Sequence, residues 1–264
     1  MQWPAQSWLA YELTGSALML GLVSAAWGVP MFLLSLFGGA MADRIEKRRL
    51  LVWSQLALGA LNLGLALLIS LDLVKFWHLI VTAALSGTVF AFNMPARQAI
   101  IPELVPKKTL FNAIVLSSGA MNATRVLGPA VAGVLMAAIG VDGAFYAAVG
   151  CTLVAVAFLL KLPAAGPVRS TSRRSMSTDI FEGLRYIRGQ PIVMVLLSMA
   201  LMLVLFGMPY QNLMPIFAEI LHVEELGFGL LMAMTGVGAV IGSLAIAGMG
   251  DFKRVPSRGD GLFE

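Results

Sequence analysis

Between Glu12 and Asp43 the chain carries no charged side chain, and the stretch is built from Leu, Val, Met, Phe, Ala and Gly. About 20 such residues in a helix cross the ~30 Å hydrocarbon of a bilayer. Runs of this kind recur, and they place full spans at residues 17–42, 50–71, 76–96, 109–139, 141–162, 193–218 and 226–250. Met1 to Leu13, with Trp3 and Trp8, is apolar too, but it covers only about 20 Å as a helix and reads as the outer end of a further span. The tail after Asp251 turns polar, so the sequence reads as a fragment of a longer chain. Only 12 % of residues are charged, about half the ~25 % of soluble domains. That excludes a soluble enzyme, a disordered chain and a disulfide-rich secreted scaffold. Cys151 is the single cysteine, no Cys/His cluster has metal-ligand spacing, and no cofactor is expected. The net charge of +4 is too small and scattered for nucleic acid. No basic segment and cleavage site mark the N-terminus as a signal peptide. An all-α polytopic membrane protein follows, with the lipid bilayer as its first partner.

Its orientation is written in Lys and Arg, which accumulate in cytoplasmic loops. One alternating set of loops holds Arg44, Lys47, Arg48 and Arg49, then Arg97, Lys107 and Lys108. It continues through Lys161, Arg169, Arg173, Arg174, Arg185 and Arg188 to Lys253, Arg254 and Arg258, sixteen of the eighteen basic residues. The opposite set holds only Lys75, beside Glu12, Asp72, Asp142, Glu219, Glu224 and Glu225. The basic loops are therefore expected inside the cell, at its inner (plasma) membrane. The longest polar stretch divides the chain into a bundle over 1–163, a cytoplasmic linker over 164–190 and a second unit over 191–264. Within the linker, Asp179 and Glu182 pattern as a capping box opening a short helix, either interfacial or a plain packed linker.

Shifting the sequence by 208 superimposes Leu13 on Leu221, Gly21 on Gly229, Gly28 on Gly236, Ser35 on Ser243 and Asp43 on Asp251. The small residues form a stripe that lets helices approach closely in lipid, and each copy ends on an aspartate. The second unit thus reads as a parallel duplicate of the first. The segment Gly39-Ala40-Met41-Ala42-Asp43-Arg44-Ile45-Glu46-Lys47-Arg48 resembles motif A of the major facilitator superfamily, with Glu46 where the family often has glycine. Tyr11 to Ser16 and Pro95 to Val105 are similar to the superfamily branch of enterobactin exporters and transmembrane secretion effectors. Gly128-Pro129 resembles part of the antiporter motif of the fifth helix, with Thr124 and Ala132 in place of expected glycines, and Gly133 joins it as a helix-packing position. The resemblance implies a twelve-helix, two-bundle fold, of which part of helix 1 through helix 8 is present. It also implies a conformational role for Gly39, Asp43, Arg44, Lys47, Arg48 and Asp251. Asp43 would pair locally, with Arg48 first, and face helix 11 of the other bundle. Helix 8 would pack on helix 5, with Asp251 near the amides of Thr109 to Asn112 and with Ser243 and Ala247 opposite Gly119 and Leu116.

Arg125 lies mid-span, where a guanidinium costs at least ~2.5 kcal/mol unless it meets a partner or a wet cavity. Ser118, Asn122, Arg125 and Pro129 share one helical face. They form either a cavity wall for a polar substrate or a structural arginine with its helix-packing neighbours. Gln55 with Asn62, Thr82 and Ser86 with Asn93, and Gln211 are further cavity candidates, with interhelical hydrogen bonding as the plainer reading of each. Superfamily antiporters often carry an arginine midway along helix 4, whereas Arg97 comes only at the end of that span. His78 and His222 lie near outer helix ends and read as solvated. No Asp or Glu occupies mid-span, so a proton as coupling ion would use an edge residue such as Glu12 or a segment outside this sequence. The preferred function is a secondary exporter of a small polar or amphiphilic molecule, siderophore or drug-like, working by alternating access and not an enzyme. The alternatives are a permease subunit driven by a separate ATPase, and a membrane protein without transport activity.

Overall fold

The computed structural model describes residues 2–162, 188–202 and 213–248. Among these the elements are helical throughout: α1 (Gln2–Thr14), α2 (Ala17–Arg44), α3 (Lys47–Ser70), α4 (Phe76–Leu104), α5 (Leu110–Lys161), α6 (Pro191–Met202), α7 (Met214–Ile220) and α8 (Glu225–Gly248). A single 3-10 turn at Lys107–Thr109 leads into α5. The linker helix expected near Asp179, together with Gln211 and Asp251, lies outside the described residues.

The breaks follow from local chemistry. Gly15 takes φ +57° and its N–H returns to the Tyr11 carbonyl at 2.7 Å, closing α1. A positive φ of this kind is open to glycine without a Cβ penalty. Gly140, at φ 79° and ψ 171°, interrupts α5, so its first limb (110–139) and second limb (141–161) are two crossings separated by one residue. The fourth span runs past 96 to Leu104, through Pro95 and Pro102. Pro95 has no N–H to offer the Ala91 carbonyl four residues back, and that carbonyl faces Gly38 of α2 instead. The segment resembling the exporter branch therefore sits on a helix end.

Four described segments are long and apolar enough to cross a membrane, and the one over 107–161 holds both limbs of α5. Phe32, Trp53, Phe111, Leu116 and Phe158 are exposed, a surface that lipid covers and water would not. Helix ends alternate between a basic end, with the turns at 45–46 and 105–109, and an acidic end, with the turns at 15–16, 71–75, 140 and 221–224. The hydrophobic core is divided accordingly. Its larger part lies toward the acidic end and joins Leu9, Leu20, Leu65, Leu79 and Phe145 of α1–α5 to Ala218, Phe228 and Met232 of α7 and α8. The smaller part, around Leu51, Ala96 and Ile100 at the basic end, draws on α3, α4 and the end of α5.

Candidate functional site

At the basic end, the residues after α2 tie three helices together. Lys47 opens α3 with only 5 % of its side chain exposed, and its Nζ donates to Glu103 Oε1 of α4 at 2.6 Å. A buried ammonium requires such a partner. Arg48 donates through Nε to the Leu159 carbonyl at 3.1 Å and through Nη2 to the Leu160 carbonyl at 2.5 Å. The last carbonyls of a helix have no intrahelical donor, so Arg48 caps α5 and complements its dipole. Arg49 pairs with Glu46 one turn away at 3.0 Å. Asp43 and Arg44 form the last turn of α2; their side chains lie outside the described residues, so the expected Asp43–Arg48 pair stays an expectation. Gly39 lies in the same final stretch of α2, with no neighbouring side chain within 4 Å of where a Cβ would stand.

Toward the acidic end, α8 runs antiparallel to the first limb of α5. A Cβ placed on Gly133 would stand 2.6 Å from the Gly229 Cα and 2.9 Å from the Glu225 carbonyl oxygen, and one on Gly229 would stand 3.1 Å from the Pro129 carbonyl oxygen. Two turns along, Gly236 meets Val126 in the same register. The two backbones touch here, which only glycine on both sides permits. Gly21 and Gly28, the counterparts of Gly229 and Gly236 in the first unit, have nothing within 4 Å. Beyond this crossing, Trp8 of α1 packs on the buried Phe228 of α8 with ring centroids 5.2 Å apart. The Tyr11 hydroxyl donates to the carboxylate of Glu219 on α7. Those two residues are 208 positions apart, the offset of the sequence repeat, as expected of equivalent positions beside a pseudo-two-fold axis.

The mid-span polar residues separate into three settings. Asn93 is buried and donates to Ser54 Oγ at 2.6 Å, so it joins α4 to α3. Ser86 accepts from Gln2 at 3.0 Å, and Thr82 and the Leu79 carbonyl accept from Gln6, so these positions hold α1 against α4. Asn93 thus makes an interhelical bond. Gln55 and Asn62 do line a cavity of about 430 Å³ inside the first bundle, with Gln2, Phe90, Thr124, Gly128 and Thr152. Asn62 Oδ1 is buried there without a hydrogen-bond partner. Ser118, Asn122 and Arg125 are exposed and do not line this cavity. Asn122 continues the face carrying Val126 and Gly133, and Arg125 lies about a quarter-turn round the helix, on the flank of the α8 contact. Gly128 turns to the cavity, while Pro129 and Gly133 meet α8.

Four residues at these two ends were assigned no contact in the sequence reading: Glu103, Trp8, Tyr11 and Glu219. A buried lysine in a loop motif demands a carboxylate, which pointed toward Glu103. The 208-residue offset, applied to Tyr11, points to Glu219.

Residues 1–252 match the family described as "Transmembrane secretion effector". The chain is 29 % identical over 253 residues to the multidrug efflux pump Tap of Mycolicibacterium fortuitum, covering 92 % of this chain and 61 % of that protein. It is 29 % identical over 250 residues to the staphyloferrin A transporter of Staphylococcus aureus, covering 91 % and 61 %. The enterobactin exporter EntS of Shigella boydii is 25 % identical over 232 residues, with 88 % and 55 % covered. The chain thus spans about three-fifths of the length of the first two relatives. With a family match across nearly all its residues and an all-helical, lipid-facing architecture, the chain belongs to the transmembrane secretion effector family of the major facilitator superfamily.

Proposed function

We propose that the protein carrying this segment is a secondary transporter that exports a small polar or amphiphilic molecule, of siderophore or drug-like character, by rocking two helical bundles against each other. The observation that supports it most is the contact between units at the acidic end, where both share one buried cluster, with the Gly133–Gly229 crossing and Tyr11–Glu219 beside it. Two bundles that rock against each other turn about a closed face of this kind. The excess of Lys and Arg assigns the basic end to the cytoplasm, so this closed face is the outer one. Residues 1–163 then form the first bundle and 191–264 begin the second, with 164–190 linking them.

Asp43, Arg44, Lys47 and Arg48 act on the conformational equilibrium and not on the substrate, as the motif resemblance implies; Lys47 and Arg48 support this by tying helix ends together at the basic face. Arg125 and Asn122, exposed on the flank of the α5–α8 contact, are the groups we assign to the substrate path, with Gln211 as a further candidate. A proton is the coupling ion this reading carries, although no carboxylate lies mid-span among the described residues. The decisive experiment is an efflux assay. Cells expressing the full-length protein should accumulate less of a fluorescent amphiphile or a ferric siderophore than cells lacking it, and Arg125→Ala should erase the difference. Equal accumulation with and without the protein across both compound classes would refute an exporter. Retained efflux after loss of the proton gradient but not after ATP depletion would favour an ATP-driven permease.

A further inference from the structure

We propose that the cleft between α3 and the end of α5, at the basic end, is a seat for an anionic phospholipid. Its phosphodiester is held by Arg48 and Arg49 and its acyl chain is laid along Trp53. The seat requires only that the chain span a bilayer, so it stands apart from the transport reading above. It starts from the first turns of α3, where Arg49, Trp53 and Leu56 stand at i, i+4 and i+7 on one helical face. All three are exposed, the Arg49 side chain by 75 % and Trp53 by 70 %. With Arg48, Glu46 and, from α5, Leu160, they line a cleft of about 370 Å³.

The charges in the cleft favour an anion. Arg48 donates through Nε to the Leu159 carbonyl and through Nη2 to the Leu160 carbonyl. A guanidinium carries five N–H groups, so three remain, with no acceptor among the described residues. Arg49 pairs through Nε with Glu46 at 3.0 Å. An exposed pair of this kind is worth little, and an incoming anion can compete for it. Lys161 follows Leu160 and is exposed at the same helix end. Three cations thus surround one carboxylate. The two free oxygens of a phosphodiester match the fork of a guanidinium.

The walls of the cleft favour a lipid over a free phosphate. Trp53 lies four residues beyond Arg49, about 6 Å further along α3 toward mid-membrane. Tryptophan is enriched at this depth, where headgroups meet hydrocarbon. Leu56, Phe158 and Leu160 extend the apolar surface beside it, and all are exposed. A soluble anion would leave that surface uncovered, whereas a glycerol backbone and acyl chain cover it. Basic pockets between helices suit anionic headgroups for this reason. A phosphatidylcholine brings the same phosphate with a cation attached, so a net-negative headgroup such as phosphatidylglycerol is the better fit. Once seated, its phosphate would bridge the start of α3 to the end of α5, the two elements that Arg48 already joins.

The test uses the full-length protein in vesicles of phosphatidylcholine and phosphatidylglycerol, with one or the other lipid brominated on its acyl chain. Bromine quenches tryptophan on contact, and the difference between wild type and Trp53→Phe isolates the Trp53 signal. Brominated phosphatidylglycerol should quench Trp53 more than brominated phosphatidylcholine, with a relative association of about fivefold or more at low salt. The preference should shrink as salt is raised. Arg49→Gln should lower it by about fivefold, and Glu46→Gln should raise it by removing the one carboxylate in the cleft. Equal quenching by the two lipids in the wild type, or a preference unchanged in Arg49→Gln, overturns the seat. So does a preference that fails to rise in Glu46→Gln, a variant that keeps both arginines and decides the matter even where Arg49→Gln does not fold. A preference erased by inorganic phosphate but not by chloride at the same ionic strength would make the cleft a site for a soluble anion, and overturns it too.

Discussion

A methyl group at Gly133 would test the α5–α8 crossing directly. The added Cβ would stand 2.6 Å from the Gly229 Cα, 2.9 Å from the Glu225 carbonyl oxygen and 3.0 Å from the Gly229 nitrogen. Carbon–carbon contacts are comfortable at about 3.5–4.0 Å, so α8 has to retreat by roughly 1 Å at this level. Every atom met is backbone, so no side chain can rotate aside. Overpacking of this kind costs about 1–3 kcal/mol. Where it falls on the closed state alone, the closed-to-open ratio drops by about 5- to 150-fold. Gly229→Ala places the same methyl from the other side, 2.6 Å from the Gly133 Cα, and the double variant should cost less than the sum of the two, because one retreat of α8 accommodates both. Gly119→Ala is the control on the same limb, since nothing lies within 4 Å of its Cβ position, and it should be neutral or gain up to about 1 kcal/mol of helix propensity. The assay is the thermal midpoint of the purified full-length protein together with a spin-label distance across the acidic end, between Leu71→Cys and Leu221→Cys in a Cys151→Ser background; both leucines are exposed. The reasoning fails if Gly133→Ala behaves like Gly119→Ala in both readouts.

Three further outcomes follow from the same contacts. Glu103→Ala strands a lysine that is 5 % exposed and should cost about 3–5 kcal/mol, whereas Lys47→Met with Glu103→Leu should recover most of it; equal thermal midpoints for the single and double variants would refute a buried pair. Asp43→Asn in the full-length protein should slow transport while leaving substrate affinity in equilibrium binding intact, because the residue biases the conformational equilibrium; affinity falling in step with transport would place Asp43 in the substrate path. Continued along both helices, the register of Gly229 on Gly133 and Gly236 on Val126 predicts Asp251 beside the first turn of α5. Asp251→Cys should then form a disulfide with Asn112→Cys in a Cys151→Ser background, and no cross-link in any conformation sampled during transport would break the register.

The spans up to residue 162 were legible because hydrocarbon thickness sets a length that the apolar runs either reach or do not. Even the break inside α5 could be placed, since Gly140 is followed by Val141 and Asp142 and two crossings cannot share one straight helix. The fourth helix ran longer than hydropathy suggested. Pro95 reads locally as a stop, yet the carbonyl it frees finds a place against Gly38, a neighbour 53 residues away by the numbering. The polar residues were harder for a related reason. Periodicity groups Ser118, Asn122 and Arg125 toward one side of α5, but it cannot say which neighbour that side meets. The same limit applied to Asn62 and Asn93. Each is a buried amide on a helix face, but Asn93 finds Ser54 while the oxygen of Asn62 finds no partner. Tyr11–Glu219 joins separate units, and only the repeat offset connects them in the sequence.

The contacts that close the acidic end are individually modest, and this suits the carrier proposed above. The exposed Tyr11–Glu219 hydrogen bond contributes about 0.5–1 kcal/mol. The Trp8–Phe228 pair adds about 0.5–1.5 kcal/mol beyond its buried area. The glycine crossing contributes close backbone packing that a single methyl removes. Together these amount to a few kcal/mol, comparable with the ~5.5 kcal/mol that carries a two-state equilibrium from 1:99 to 99:1. On the proposed mechanism, a much tighter seal would hold this face shut whatever bound on the other side. A much looser one would leave a bound substrate with no preference to shift. The basic end shows the opposite design: Lys47–Glu103 is buried, and Arg48 caps the end of α5 within the first unit. Among the described residues the strong bonds therefore fall within 1–163 and the weak ones between it and the second unit, the division that the proposed rocking of one unit against the other requires.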